Sequence, residues 1–304
     1  MSPLRTSCRV LALLAFTPFL FFCTDDKQGD GAPIDTIAPA LSDGGATTDL
    51  QPLEVSTQAG TGGQGGELGH TSQTLDYGGE ARLFAVHVPP SYDAQTPTAL
   101  LLHFHGWRPL PAEVNSELAY VWGDTADENG FIAVAPEGLP CPELNPDDPY
   151  GCFRELRDGP FVTALIEHLG GLYNLDLKRV YLSGHSGGAF FVQGHGIAHA
   201  DTYASTVTFS GGCISSSDQY GNSCSVYQSL SAKASRKIPF FVVHHGSDQV
   251  VPIRYSVDLL DVLKAGEHPT SALDQYDPPG EYGHSIDVKI VPQVWEWVGA
   301  FTLP

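Results

Sequence analysis

The chain has 304 residues, enough for one large domain or two modest ones, and with 42% of them hydrophobic it can bury a full core. Thirty-five acidic residues against fifteen basic ones give a formal net charge of −20. That charge repels phosphate backbones and anionic membrane surfaces at long range, so neither is an expected partner.

In chain order, residues 1–23 read as an export signal: Arg5 and Arg9, an apolar run from Val10 to Phe22, then Cys23 and the polar Thr24-Asp25-Asp26. The run is shorter than the ~18 residues of a spanning helix, and Pro18 interrupts it. Leu20-Phe21-Phe22-Cys23 is similar to a bacterial lipoprotein box, with Phe22 where that signal has a small residue. Two readings stay open, a lipid anchor on Cys23 or another signal cleavage or retained anchor; both place the mature chain outside the cytoplasm, secreted or tethered to a membrane.

Residues 24–70 hold one basic residue, Lys27, against eight acidic ones, contain no Phe, Trp or Tyr, and end in the run Ala59-Gly60-Thr61-Gly62-Gly63-Gln64-Gly65-Gly66. Such a segment is predicted to be a disordered acidic linker. The folded domain is expected over residues 71–304. Strands are predicted at Leu83 to Val88, Ala99 to Phe104, Phe131 to Ala135, Val180 to Ser183, Ser205 to Phe209 and Pro239 to His244, all short apolar runs bounded by Gly, Pro or Asp. Helical spacing follows Asp158 through Phe161, Leu165, Leu169 and Leu172, returns at Val257, Leu260 and Lys264, and closes the chain at Pro292 to Phe301. Strands alternating with helices imply an α/β fold, a mostly parallel central sheet with helices on both faces and functional loops beyond the strands' C-terminal ends.

Six cysteines fit an oxidising compartment. Apart from Cys8 and Cys23, four remain; of their three possible pairings the local ones, Cys141 with Cys152 and Cys213 with Cys224, are favoured because each closes a short polar loop. No Cys-x-x-Cys pair supports zinc.

Gly184-His185-Ser186-Gly187-Gly188 follows a predicted strand and precedes a predicted helix. Serine is a weak nucleophile, so it needs a sharp turn that exposes its hydroxyl to a base, and flanking glycines let the backbone pass without collision. In this arrangement an acid and a histidine follow, each on a loop after a later strand. Asp248 lies just past the strand ending at His244, and His284 lies before the terminal helix. Among twelve histidines, His195 and His199 fall in the helix after Ser186, His244 and His245 on or beside a strand, and His268 before a proline; only His284 has the required order and loop position. Backbone amides of Gly187 and of Trp107, after the early strand and its His105-Gly106 turn, are the expected oxyanion donors. His103 and His105 share a strand face, but no third ligand is evident, so no metal is expected.

His105-Gly106, Ala126-Asp127-Glu128-Asn129-Gly130-Phe131 leading to Ala135-Pro136-Glu137-Gly138, the serine turn, and His245-Gly246-Ser247-Asp248 with Val251-Pro252 together resemble the polyhydroxybutyrate depolymerase and feruloyl esterase group of α/β-hydrolases, over about Leu83 to Trp297. The resemblance implies a secreted serine hydrolase that cleaves feruloyl, acetyl or polyester bonds through a Ser186-Asp248-His284 triad, with no metal or organic cofactor. Its partner is a small or polymer-bound ester. A serine peptidase of the same fold and a non-catalytic, surface-tethered binding protein are the alternatives.

Overall fold

A computed structural model describes residues 60–142, 146, 150–215, 222–273 and 283–304, all within the compact unit Gly45–Pro304. The expected signal, Cys23 and most of the linker lie outside these residues. No helix among the described residues is long and apolar enough to cross a membrane.

The elements run β1 (Gly69–Tyr77), β2 (Glu80–Val88), β3 (Thr98–Phe104), β4 (Arg108–Pro109), α1 (Val114–Leu118), a π-helical turn at Ala119–Gly123, α2 (Asp124–Asn129), β5 (Ile132–Pro136), β6 (Leu139–Pro140) and β7 (Tyr150–Cys152). They continue α3 (Glu155–Leu172), β8 (Leu175–His185), α4 (Gly187–Ala198), β9 (Ser205–Phe209), α5 (Cys224–Lys233), β10 (Phe240–Val243), α6 (Arg254–Ala265), β11 (Thr270–Leu273), a 3-10 turn at Val288–Ile290 and α7 (Val291–Val298). Eight strands form the central sheet in the order β1-β2-β5-β3-β8-β9-β10-β11. From β5 to β11 all neighbours are parallel; β2 alone runs against the rest, antiparallel to both β1 and β5.

The strands that surround the serine turn have no solvent-facing side: every residue of β3, β9 and β10 is buried. Their alternate side chains feed two apolar clusters. Leu100, Leu102 and Phe104 join Phe161, Leu165 and Leu169 of α3 and Leu259 and Leu263 of α6; Leu101, Tyr181 and Val207 join Trp122, Val291 and Val294. Helices therefore cover both faces, as strands buried on two sides require.

The expected disulfides are both formed, Cys141–Cys152 and Cys213–Cys224. The end of the expected linker behaves differently from its composition. The Thr61 amide donates to the Leu175 carbonyl (2.9 Å), its hydroxyl to the Tyr173 carbonyl (2.8 Å), and the Gly62 amide to the Asn174 side chain (2.9 Å). This run is held on the domain by hydrogen bonds of backbone and polar side chains, and hydropathy carries no trace of such a tie.

Candidate active site

The first strong local demand is made at the end of β8. Ser186 has φ 52° and ψ −119°, a backbone state that costs a non-glycine residue energy and recurs where a side chain must be thrust out of a turn. The turn is fixed on both sides: the Ser186 amide donates to the Phe209 carbonyl at the end of β9 (2.9 Å), and its carbonyl accepts from the Phe190 amide (3.1 Å) as α4 begins. The glycines around it answer to close approach. A methyl group at Gly188 would overlap the Phe104 carbonyl of β3, and one at Gly184 would overlap the backbone of Gly188.

The other two residues come from two separate loops later in the chain. Asp248 follows β10, and His284 stands between Gly283 and the 3-10 turn. His284 Nε2 lies 2.8 Å from Ser186 Oγ, and His284 Nδ1 lies 2.8 Å from Asp248 Oδ2. Asp248 has a buried carboxylate whose Oδ1 accepts the amides of Val250 (2.8 Å) and Val251 (3.0 Å). A second imidazole, His244, lies on the other flank: its Nε2 donates to the Val251 carbonyl (2.9 Å) and is 3.3 Å from Asp248 Oδ2. Burial pushes the Asp248 carboxyl up, but hydrogen bonds from His244, His284 and the two amides outweigh it and hold the group well below the usual carboxylate range. His244 is legible in the sequence only as the end of a strand; nothing in its spacing announces that it flanks the carboxylate.

Trp107 and Gly187, the two expected amide donors, are brought together. The half-exposed indole of Trp107 lies over Gly187 so closely that any side chain there would strike it, and Gly106 lies against the Ser186 side chain. His105 braces this loop. Its Nδ1 donates to the Gly106 carbonyl (2.6 Å) and its Nε2 accepts the Gly138 amide (2.9 Å), a pairing that fixes the neutral tautomer. His103, which shares the strand face, contacts Ser183 (2.9 Å), Glu117 (3.2 Å) and the Trp122 indole N–H (3.3 Å). Both histidines are occupied with protein partners.

His185, beside the nucleophile position, packs its ring 4.9 Å from that of His284. Burial, reinforced by the charge of His284, lowers its pKa to about 3 from 6.5, and burial lowers that of His105 to about 4. An unfolded chain takes up protons on these rings near pH 6.5, whereas the folded site refuses them until about pH 4 and 3. The unfolded state thus binds more protons throughout that window, and stability falls as pH drops through it. The urea midpoint is expected to fall between pH 7 and pH 4.5, and to fall less for His185→Asn. An equal fall in both proteins would show that His185 is not excluded from protonation by the fold.

No known family profile matches the chain. A bifunctional acetylxylan esterase/xylanase of Neocallimastix patriciarum is 30% identical over 252 residues, which is 74% of this chain and 34% of the relative; the chain spans about a third of that protein's length. An S-formylglutathione hydrolase from Agrobacterium tumefaciens superimposes with a TM-score of 0.62 at 18% identity, covering 79% of this chain and 98% of the other. A ferulic acid esterase from Anaeromyces mucronatus, solved with ferulic acid, superimposes with a TM-score of 0.56 at 14% identity, covering 77% and 90%.

Proposed function

Because this chain has the α/β-hydrolase fold, we propose that it hydrolyses carboxylic esters through an acyl-enzyme on Ser186. The observation that carries the proposal is the unbroken hydrogen-bonded line from Ser186 Oγ through His284 to the buried Asp248, at the C-terminal edge of a parallel sheet.

In the proposed cycle His284 Nε2 removes the Ser186 hydroxyl proton as Oγ bonds to the ester carbonyl carbon. The carbonyl oxygen takes the electron pair, and the amides of Gly187 and Trp107 donate to it. The carbon–oxygen bond to the alcohol then breaks, and His284 returns its proton to the leaving alkoxide. Water attacks the acyl-enzyme with His284 again as base, releasing the acid and restoring Ser186. Asp248 keeps His284 protonated on Nδ1, so that Nε2 is free to accept.

The named activities of the relatives favour acetyl or feruloyl groups carried on a polymer. Trp107 supports that choice, because a half-exposed indole beside the nucleophile offers an aromatic or sugar-bearing ester a face to rest on. Two disulfides and the signal-like N-terminus support an extracytoplasmic, secreted or tethered enzyme.

The test is a fluorophosphonate probe followed by a substrate panel. Ser186 is expected to be the labelled residue, and acetylated xylan or methyl ferulate to be turned over while peptide amides are not. An unlabelled protein would point to a binding function on a retained fold, and preferred amide cleavage would make it a peptidase.

A further inference from the structure

On the far end of the helix that begins at the nucleophile, three side chains that the proposed cycle does not use converge. Glu155 opens α3, His195 lies on α4, and His199 caps its C-terminus. His195 Nδ1 is 3.0 Å from Glu155 Oε2, and His199 Nε2 is 2.9 Å from Glu155 Oε1. The three ligand-capable atoms all lie within 4.8 Å of one another. We propose that Glu155, His195 and His199 form a binding site for a divalent transition metal of the zinc type, a clamp between α3 and α4 that lies outside the ester site.

Geometry is the first support. Around zinc with bonds of ~2.0–2.2 Å, ligand atoms of a tetrahedron lie about 3.4 Å apart, so modest outward relaxation of this cluster seats an ion. Two histidines four apart sit on one helical face, which is why a single carboxylate from the neighbouring helix reaches both.

The surroundings are the second. His195 is buried, and its other nitrogen, Nε2, lies 2.7 Å from the hydroxyl of Tyr203, itself buried. Donation from Nε2–H to Tyr203 leaves the Nδ1 lone pair facing the cluster, the outer-shell arrangement that orients histidine ligands in metal sites. The stack of His195 on Phe191, with ring centroids 5.1 Å apart, fixes the plane of the ring. A side chain at Gly159 would run into the Glu155 carboxylate, so this position leaves that carboxylate room.

Access and charge are the third. The Glu155 side chain is 44% exposed and that of His199 26%, so the outer side is open for an ion to enter and keep a water as fourth ligand. Two imidazoles and one carboxylate suit zinc, nickel or copper, whereas calcium and magnesium prefer all-oxygen sets. A chain of net charge −20 also draws cations toward it. Glu155 is 40 residues from His195, so no sequence spacing marks the trio.

Untagged full-length protein, stripped with EDTA and dialysed, decides the matter by calorimetric titration with Zn²⁺ and, separately, Ca²⁺. One saturable Zn²⁺ site per chain is expected, with no matching Ca²⁺ site. The thermal midpoint should rise by about 5 °C at a hundredfold excess over Kd. Glu155→Gln and His199→Ala, both at partly exposed positions, should each weaken Zn²⁺ binding at least ~10-fold and so cut the thermal shift at the same Zn²⁺ concentration to about half or less. Ser186→Ala should bind Zn²⁺ as the wild type does, which separates this site from the ester-hydrolase proposal. Absence of saturable Zn²⁺ binding in the wild type, or unchanged affinity in both site variants, would overturn the assignment.

Discussion

Replacing Ser186 with alanine is expected to lower kcat on an aryl ester by at least ~10³-fold and to leave the thermal midpoint nearly unchanged. In the proposed cycle the rate falls because the Ser186 hydroxyl, 2.8 Å from His284 Nε2, is the group deprotonated there. The fold survives because what holds the turn is backbone: the Ser186 amide on Phe209, the Phe190 amide on Ser186, and the glycines that let β3, β8 and α4 approach. Alanine keeps all of these. Its loss is one hydroxyl at a partly exposed position, where water can satisfy the imidazole. Residual hydrolysis from binding and the oxyanion donors sets the floor of the measurement. Wild-type turnover in Ser186→Ala, checked by mass spectrometry to exclude contaminating esterase, would place the nucleophile elsewhere.

The same turn explains why so much of the fold and the site is legible in the amino-acid sequence. Fully buried strands leave a strong mark, and β3, β9 and β10 are apolar runs with no face to spare for polar residues. The Ser186 turn announces itself because its glycines answer to steric demands made by neighbouring strands and by the helix it opens. Elsewhere the signal is weak for physical reasons. β1 is an edge strand of polar composition, half exposed along its length, joined to β2 by a two-glycine hairpin turn at Gly78-Gly79, with the partly buried Leu75 and Tyr77 packing against the core. α5 buries only Tyr227 and Ser231, too little for a periodic pattern. β11 leaves only a faint signal over Ser271 to Tyr276; it spans Thr270–Leu273, and the rest of that stretch lies outside the described residues. At the site, chain order and loop position single out Asp248 and His284, but a second imidazole on the carboxylate depends on where β10 ends in space.

That second imidazole sharpens the expectation for Asp248. Asp248→Asn should lower kcat by roughly 10³–10⁴-fold, close to the loss from removing the nucleophile. In the wild type Oδ1 accepts two backbone amides and Oδ2 faces both His284 Nδ1 and His244 Nε2, so each of these neighbours of the carboxylate is a donor. An asparagine has one acceptor and one donor end. If its oxygen stays on the Val250 and Val251 amides, its NH2 meets the two imidazoles. His284 must then move its proton to Nε2 to accept at Nδ1, and Nε2–H points at the Ser186 hydroxyl as a donor when the reaction needs an acceptor. Turning the amide over leaves two buried amides facing an NH2, a desolvation loss of about 1–3 kcal/mol each. His244→Gln separates orientation from charge: it keeps a side-chain donor near the Val251 carbonyl, leaves His284 in the correct tautomer, and should lower kcat only roughly tenfold with KM unchanged. Both variants are measured on one aryl ester alongside their urea midpoints. Equal losses of kcat in the two would mean that the carboxylate acts by holding the β10 loop in place; a far larger loss in Asp248→Asn at similar stability assigns its effect to the tautomer of His284.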